Sequence, residues 1–262
     1  MLFDFVLTPL DQVTPWNHRG QLNLHWFGLT DGQYWMNVDS SKLFEYSDEV
    51  RQLGVPRYCE YQVARLYEDL LEALPFIMEP VPSDMIPHLS GEGRRRTVDR
   101  MTAWSESQPV QDGDAYWETI DQAVNWIGHR ELSTAHLSPS VDLAMWSDTA
   151  FVHVEWDNRE KLFQGVPAWS AEKGVFSLPR EEFLEQVGAF HSQLMQAMAE
   201  RVKAVADGVL PAEVHVDIPG LLREQSSRSA PLSLNSDAPP LPTDWNAVRQ
   251  ALKTIYAEHL AI

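Results

Sequence analysis

The stretch FVHVEWDN, residues 151–158, gathers the side chains best suited to chemistry. Drawn as a strand, it places His153, Glu155 and Asp157 on one face and Val152, Val154 and Trp156 on the other, because successive side chains alternate. Imidazole and carboxylate groups are the types that hold a divalent cation or exchange a proton. Adjacent same-face residues stand roughly 7 Å apart along a strand, so one straight strand does not wrap three ligands around one ion. A second contributor is needed, and GHRELSTAH (128–136) offers His129, Glu131 and His136. A mixed nitrogen and oxygen site built from these six residues would suit a divalent transition metal and a hydrolase. The same alternation also describes a solvated or partner-facing strand, with Glu155 and Asp157 as contacts and Trp156 or Trp169 as aromatic anchors. Both readings stay open at the level of sequence.

Other chemistries leave no signature. HExxH, CxxC and EF-hand spacings are absent, as are a Gly-rich phosphate loop and a GxSxG elbow. No cofactor is therefore expected. GEGRRR (91–96) has the composition of an anion site, but its Gly-rich, Pro-rich surroundings read as a solvated hinge. The single cysteine, Cys59, rules out an internal disulfide and points to a reduced, cytoplasmic setting, with the thiol structural. MLFDFVLTPL has no basic region of a signal peptide, and no run of ~18 apolar residues predicts a membrane span.

Net charge is −18, and its distribution matters. Residues 1–93 carry 14 acids and 5 bases, and residues 101–160 carry 11 acids and 2 bases. Between them, Arg94, Arg95, Arg96 and Arg100 stand against Asp99 alone. A field this negative repels nucleic acid and anionic lipid and speeds the docking of a basic protein.

The elements that must position these residues follow from periodicity. Residues 2–8 alternate and predict a strand. LNLHWFGLTDGQYWMNV (22–38) predicts a hairpin turning at Thr30-Asp31-Gly32, and KLFEYS (42–47) a further strand. Residues 60–77 predict a helix with Val63, Leu66, Tyr67, Leu70, Leu71 and Leu74 on one face, ended or kinked by Pro75. Residues 80–96 predict an exposed connection. Helices are expected at 97–106 and 114–128, then a β-meander whose hairpin joins 141–146 to 150–156 through Ser147-Asp148-Thr149. PAWSA (167–171) and GVFSL (174–178) predict two short strands. A long helix starts at Pro179, with Phe183, Val187, Phe190, Leu194, Met198, Val202 and Val205 as a core stripe.

Hairpin 22–38 with helix 60–77 loosely echoes hairpin 141–156 with helix 179–207. The expected fold is therefore α+β: antiparallel hairpins packed by amphipathic helices, with similar halves at 1–96 and 97–223. Residues 224–242 predict a Ser/Pro-rich linker. Residues 243–262 predict a last helix, capped by Thr243, whose stripe of Trp245, Val248, Leu252, Ile255 and Tyr256 is expected to dock on the body.

WFGLTDGQYW (26–35), EYQVARLYEDLLEALP (60–75), VEWDNRE (154–160) and GVPAWSAEKGVFSLPREEFLEQVGAFHSQLMQAM (165–198) resemble an uncharacterised bacterial family, a domain of unknown function. The resemblance spans roughly residues 1–207. It implies a bacterial cytoplasmic protein and no assigned reaction. By analogy alone, an acidic α+β protein without a catalytic motif is similar to immunity proteins that neutralise toxins. The sequence thus favours a non-enzymatic binder of a basic protein, with a metal-dependent hydrolase or a structural or regulatory module as alternatives. The partner's identity and the oligomeric state are left open.

Overall fold

Alternating burial along one strand organises the N-terminal part of the chain. In a computed structural model, which describes residues 1–108, 113–232 and 242–257, β1 (Phe3–Leu7) is followed by β2 (Trp16–His18), β3 (Gln21–Asn23), β4 (Asp31–Val38) and β5 (Ser41–Leu43). Strand β4 buries every second residue, including Tyr34, Met36 and Val38. It pairs antiparallel with β1 on one side, Phe3 opposite Met36, and with β5 on the other. After α1 (Asp48–Gln52), the short β6 (Glu60–Gln62) also joins β4.

The expected hairpin at 22–38 does not form, because β3 lies in a different sheet from β4. Gly32 is a strand residue, not a turn residue. A Cβ there would stand 2.4 Å from the Val6 carbonyl oxygen, so glycine lets β1 approach closely. The turn falls after β4 instead, where Asp39 takes a positive φ of 51°. The strand expected at 42–47 stops at Leu43, and Glu45 and Tyr46 form only isolated bridges.

Helix α2 (Val63–Met78) begins three residues later than periodicity suggests and runs past Pro75. The region expected as an exposed connection is instead α3 (Ile86–Leu89) followed by the start of α4 (Gly91–Ser107), and α5 (Asp114–Gly128) follows as predicted. The meander is β7 (Leu143–Ser147), β8 (Phe151–Asp157), the small pair β9 (Leu162–Phe163) and β10 (Val166–Pro167), and β11 (Lys173–Pro179). Strand β8 is central, antiparallel to β7 and to β11, with Ser147 opposite Val152 at the expected turn. Helix α6 (Arg180–Ala206) buries all seven residues of its predicted stripe, and Phe190 stacks on Phe3 at 5.4 Å. Strand β12 (Val214–His215) then pairs parallel with β3, which also pairs with β2.

Helix α7 (Ile218–Arg228) occupies the start of the predicted linker, of which 233–241 lie outside the described residues. Helix α8 (Trp245–Ala257) docks, burying Val248, Leu252 and Ile255; residues 258–262 of the predicted helix lie outside the described residues. The fold is α+β, with two apolar clusters. The larger joins residues from Leu2 to Leu221 beneath α2, α6 and both main sheets. The smaller joins α3, α4, α5 and α8 around Trp104, Trp126 and Trp146. Among the described residues, no helix is long and apolar enough to cross a membrane.

Candidate functional site

A charged cleft of about 460 Å³ opens where the start of α4 meets β7 and β8. Its geometry begins with two glycines. Gly91 has a φ of +54°, which lets the chain turn from α3 into α4. Gly93 lies so close to α3 that a Cβ would stand 1.9 Å from the Pro87 carbonyl oxygen. The first turn of α4 is thereby held close against α3, and Glu155 of β8 receives its N-terminus. The Glu155 carboxylate accepts hydrogen bonds from the Gly91 N–H and, at 2.8 Å, from the Ser90 hydroxyl. A carboxylate at a helix N-terminus satisfies free N–H groups and complements the helix dipole.

This seat aims Arg94 inward. Its guanidinium donates to Glu131 at 3.0 Å and to Asp142, so one buried cation bridges two carboxylates at the wall of the cleft. Burial raises the Glu131 pKa above the usual carboxylate value; Arg94 opposes the rise and Asp142 adds to it. The outer rim is an ion network. Asp157 accepts two bonds from Arg159, at 2.8 and 2.6 Å, and lies 3.4 Å from Lys173 and 3.5 Å from Arg95. The Arg159 hydrogen bonds, outweighing desolvation, hold the Asp157 carboxyl well below its ordinary range.

The residues singled out in the sequence are dispersed around this cleft. The alternation of 151–157 is as read, but the polar face of β8 is covered. Glu155 caps α4 from a buried position, and Asp157 is paired in the rim. Trp156 and Trp169 are 6% and 2% exposed, so neither indole is presented at the surface. Trp156 lies against Gly174, and Trp169 stacks on Tyr46 at 4.6 Å. His153 bonds Ser177 at 2.8 Å and Asp148 at 3.1 Å. His129 stacks on Phe76 at 4.1 Å, and His136 meets the Tyr34 hydroxyl at 3.0 Å. Burial, reinforced by nearby Arg130 and Arg65 respectively, lowers the pKa of both rings, which favours the neutral form at pH 7.

Glu131 and Asp157 line the cleft; His129, His136 and His153 do not. The six-residue metal set therefore does not converge, and among the described residues no group of three or more His, Cys, Asp or Glu side chains is arranged to hold a metal ion. Sequence reasoning missed Arg94 and Asp142. The signal was GEGRRR, whose glycines shape a helix start rather than a free loop.

A second concavity of about 510 Å³ continues from the cleft and shares Val98 and Glu131 with it. It runs between α4 and α5 over Met101, Ile120, Val124 and Ile127, and its lining includes Glu106 and Glu131 but no Lys or Arg. The exposed acids Glu106, Asp114, Glu118 and Asp121 of these two helices make no ion pair among the described residues.

No curated protein and no solved structure is significantly similar to the chain. The model of one family, described as a family of unknown function (DUF5984), matches residues 2–251, and the chain belongs to that family.

Proposed function

We propose that this chain is a non-enzymatic, cytoplasmic binding protein for a basic partner, acting as an inhibitor in the manner of an immunity protein. The observation that carries this reading is a set of exposed carboxylates, Glu106 on α4 and Asp114, Glu118 and Asp121 on α5, that make no ion pair among the described residues, within a chain of net charge −18. The acids of β8 are engaged internally, so α5, with Asp114, Glu118 and Asp121 exposed, takes over as the recognition face. Uncompensated surface charge favours encounter with a cationic protein, and does so most strongly at low salt. A buried Cys59, whose pKa burial pushes up to about 12, is an inert thiol, in keeping with a binding role.

The test is recovery of a partner from the source lysate, followed by association kinetics at low and high salt. Glu118→Lys combined with Asp121→Lys should slow association about tenfold or more while leaving the melting curve unchanged. An on-rate indifferent to both salt and these reversals refutes the reading.

A further inference from the structure

We infer that the groove between α4 and α5 seats one amphipathic helix of the basic partner, apolar face down, with flanking Lys or Arg side chains on the acidic rim. The inference rests on the basic-partner reading and names where and how that partner is held. Ile120, Val124 and Ile127 stand at i, i+4 and i+7 on α5, and Val98, Met101 and Ser105 at i, i+3 and i+7 on α4. Both walls thus turn a helix-spaced stripe toward one furrow. From Val98 to Glu106 the α4 wall is about 12 Å long, which fits two turns of a third helix.

The furrow is open to solvent: Val98 is 43% and Val124 39% exposed, large values for apolar side chains lining one concavity. The opposite side of the same helix pair already holds a helix in this way. There α8 buries Val248, Leu252 and Ile255 in one apolar cluster with Trp104 and Trp126, and Trp245 meets Trp126 at 5.7 Å.

Charge selects the occupant. The groove lining contains Glu106 and no Lys or Arg, and exposed Asp99 stands beside Val98 in the adjoining cleft; neither acid makes an ion pair among the described residues, while Glu131 is already bridged by Arg94. A second copy of a chain of net charge −18, or an anionic lipid surface, would meet like charge. A helix with Lys or Arg beside an apolar stripe meets both complementary charge and complementary shape.

The probe is a fluorescein-labelled Leu/Lys peptide of about 14 residues, patterned as an amphipathic helix, titrated against the full chain by anisotropy. Two comparison peptides are a scrambled Leu/Lys sequence of equal charge and a Leu/Glu peptide with the same apolar face. The patterned Leu/Lys peptide should bind at least about tenfold tighter than either. Val124→Lys should weaken it about tenfold, as should Val98→Lys, with the circular dichroism melt confirming that each exposed-site variant is folded. Val98→Ser serves as a second, uncharged variant and should weaken binding to a smaller degree.

Equal binding of the scrambled peptide, weakened by Glu118→Lys with Asp121→Lys, overturns the helix seat and leaves the basic-partner reading standing. Failure of both Leu/Lys peptides counts against both. Tighter binding of the Leu/Glu peptide, or affinity unchanged by the groove variants, overturns the inference. So does a dimer of the chain that Val124→Lys dissociates, because the groove then belongs to a second copy.

Discussion

Glu155 in the central strand β8 holds the start of helix α4 through Gly91, 64 residues earlier in the chain. Its two carboxylate oxygens take the Gly91 N–H and the Ser90 hydroxyl, so the strand that looked most catalytic acts as a helix cap. Glu155→Ala leaves both donors without their acceptor under the sheet, and should lower unfolding stability by about 1–3 kcal/mol. Glu155→Gln keeps one acceptor oxygen and should lose less. Urea unfolding checks the order; equal stability of all three proteins would show that the cap contributes nothing.

Gly93 offers a steric test of the same seat. An added Cβ meets the Pro87 carbonyl oxygen, a backbone atom that yields only if α3 and α4 separate. Gly93→Ala should therefore cost about 1–3 kcal/mol or more, as overpacking does. Gly128, in the last turn of α5, has open space where its Cβ would go. Gly128→Ala should be neutral or should stabilise by up to about 1 kcal/mol through helix propensity. Thermal melts of the two variants should move apart, and a parallel response would remove the steric account.

Long periodic segments were legible from the chain because burial sets their period. The α6 stripe, the β7–β8 hairpin and the apolar face of α8 all follow from spacing alone. Glycine was the recurring source of error. Gly32 read as a turn, and Gly91 and Gly93 read as a hinge, because Gly32 and Gly93 lack a Cβ for the close approach of another element and Gly91 for its positive φ. Periodicity carries no information on such close approaches. The candidate site failed to show itself for a related reason. Arg94, Glu131 and Asp142 come from three separate segments, which meet because Glu131 bridges Ala144 of β7 and Arg94 of α4 reaches both carboxylates. His153, Glu155 and Asp157 share a face as alternation dictates, yet each meets a different partner, a fact fixed by what covers the sheet.

Asp157 should leave a mark on the acid limb of stability. Its pKa is held below the ordinary value of 3.8 in the folded chain, chiefly by Arg159. A depressed carboxylate contributes stability that is present above the unfolded pKa and is lost as pH falls through the folded one. Asp157→Asn should therefore be less stable than the parent at neutral pH, with the gap closing from about pH 5 toward pH 2. Added salt should narrow the neutral-pH gap, since the rim partners Arg159 and Lys173 are partly exposed. A gap that is constant across pH would assign the loss to something other than this ionisation.

Glu79 should govern whether α8 stays docked. Its carboxylate accepts from Arg130 at 2.7 Å and from the Thr243 N–H at 2.8 Å and hydroxyl at 2.5 Å, just ahead of α8. Arg130 is fully buried, donates also to the Trp126 carbonyl, and lies 5.2 Å from the Trp245 ring. Burial pulls the Arg130 pKa down and Glu79 opposes that pull, so the pair is matched in charge. Glu79→Gln strips the counter-charge from a buried cation and weakens the anchor of α8 together, for an expected loss of about 3–5 kcal/mol. Leu252→Ala, which hollows the apolar interface of α8, should cost about 2–5 kcal/mol by a separate route. Truncation before Thr243 should lower the melting temperature and leave Glu79 without its second partner. In the truncated chain Glu79→Gln should then cost less than in the full chain, because only the Arg130 contact remains to be lost. Unfolding free energies for the four proteins of that cycle decide it: a cost independent of the tail would mean that Glu79 serves Arg130 alone and that α8 is held by its apolar stripe.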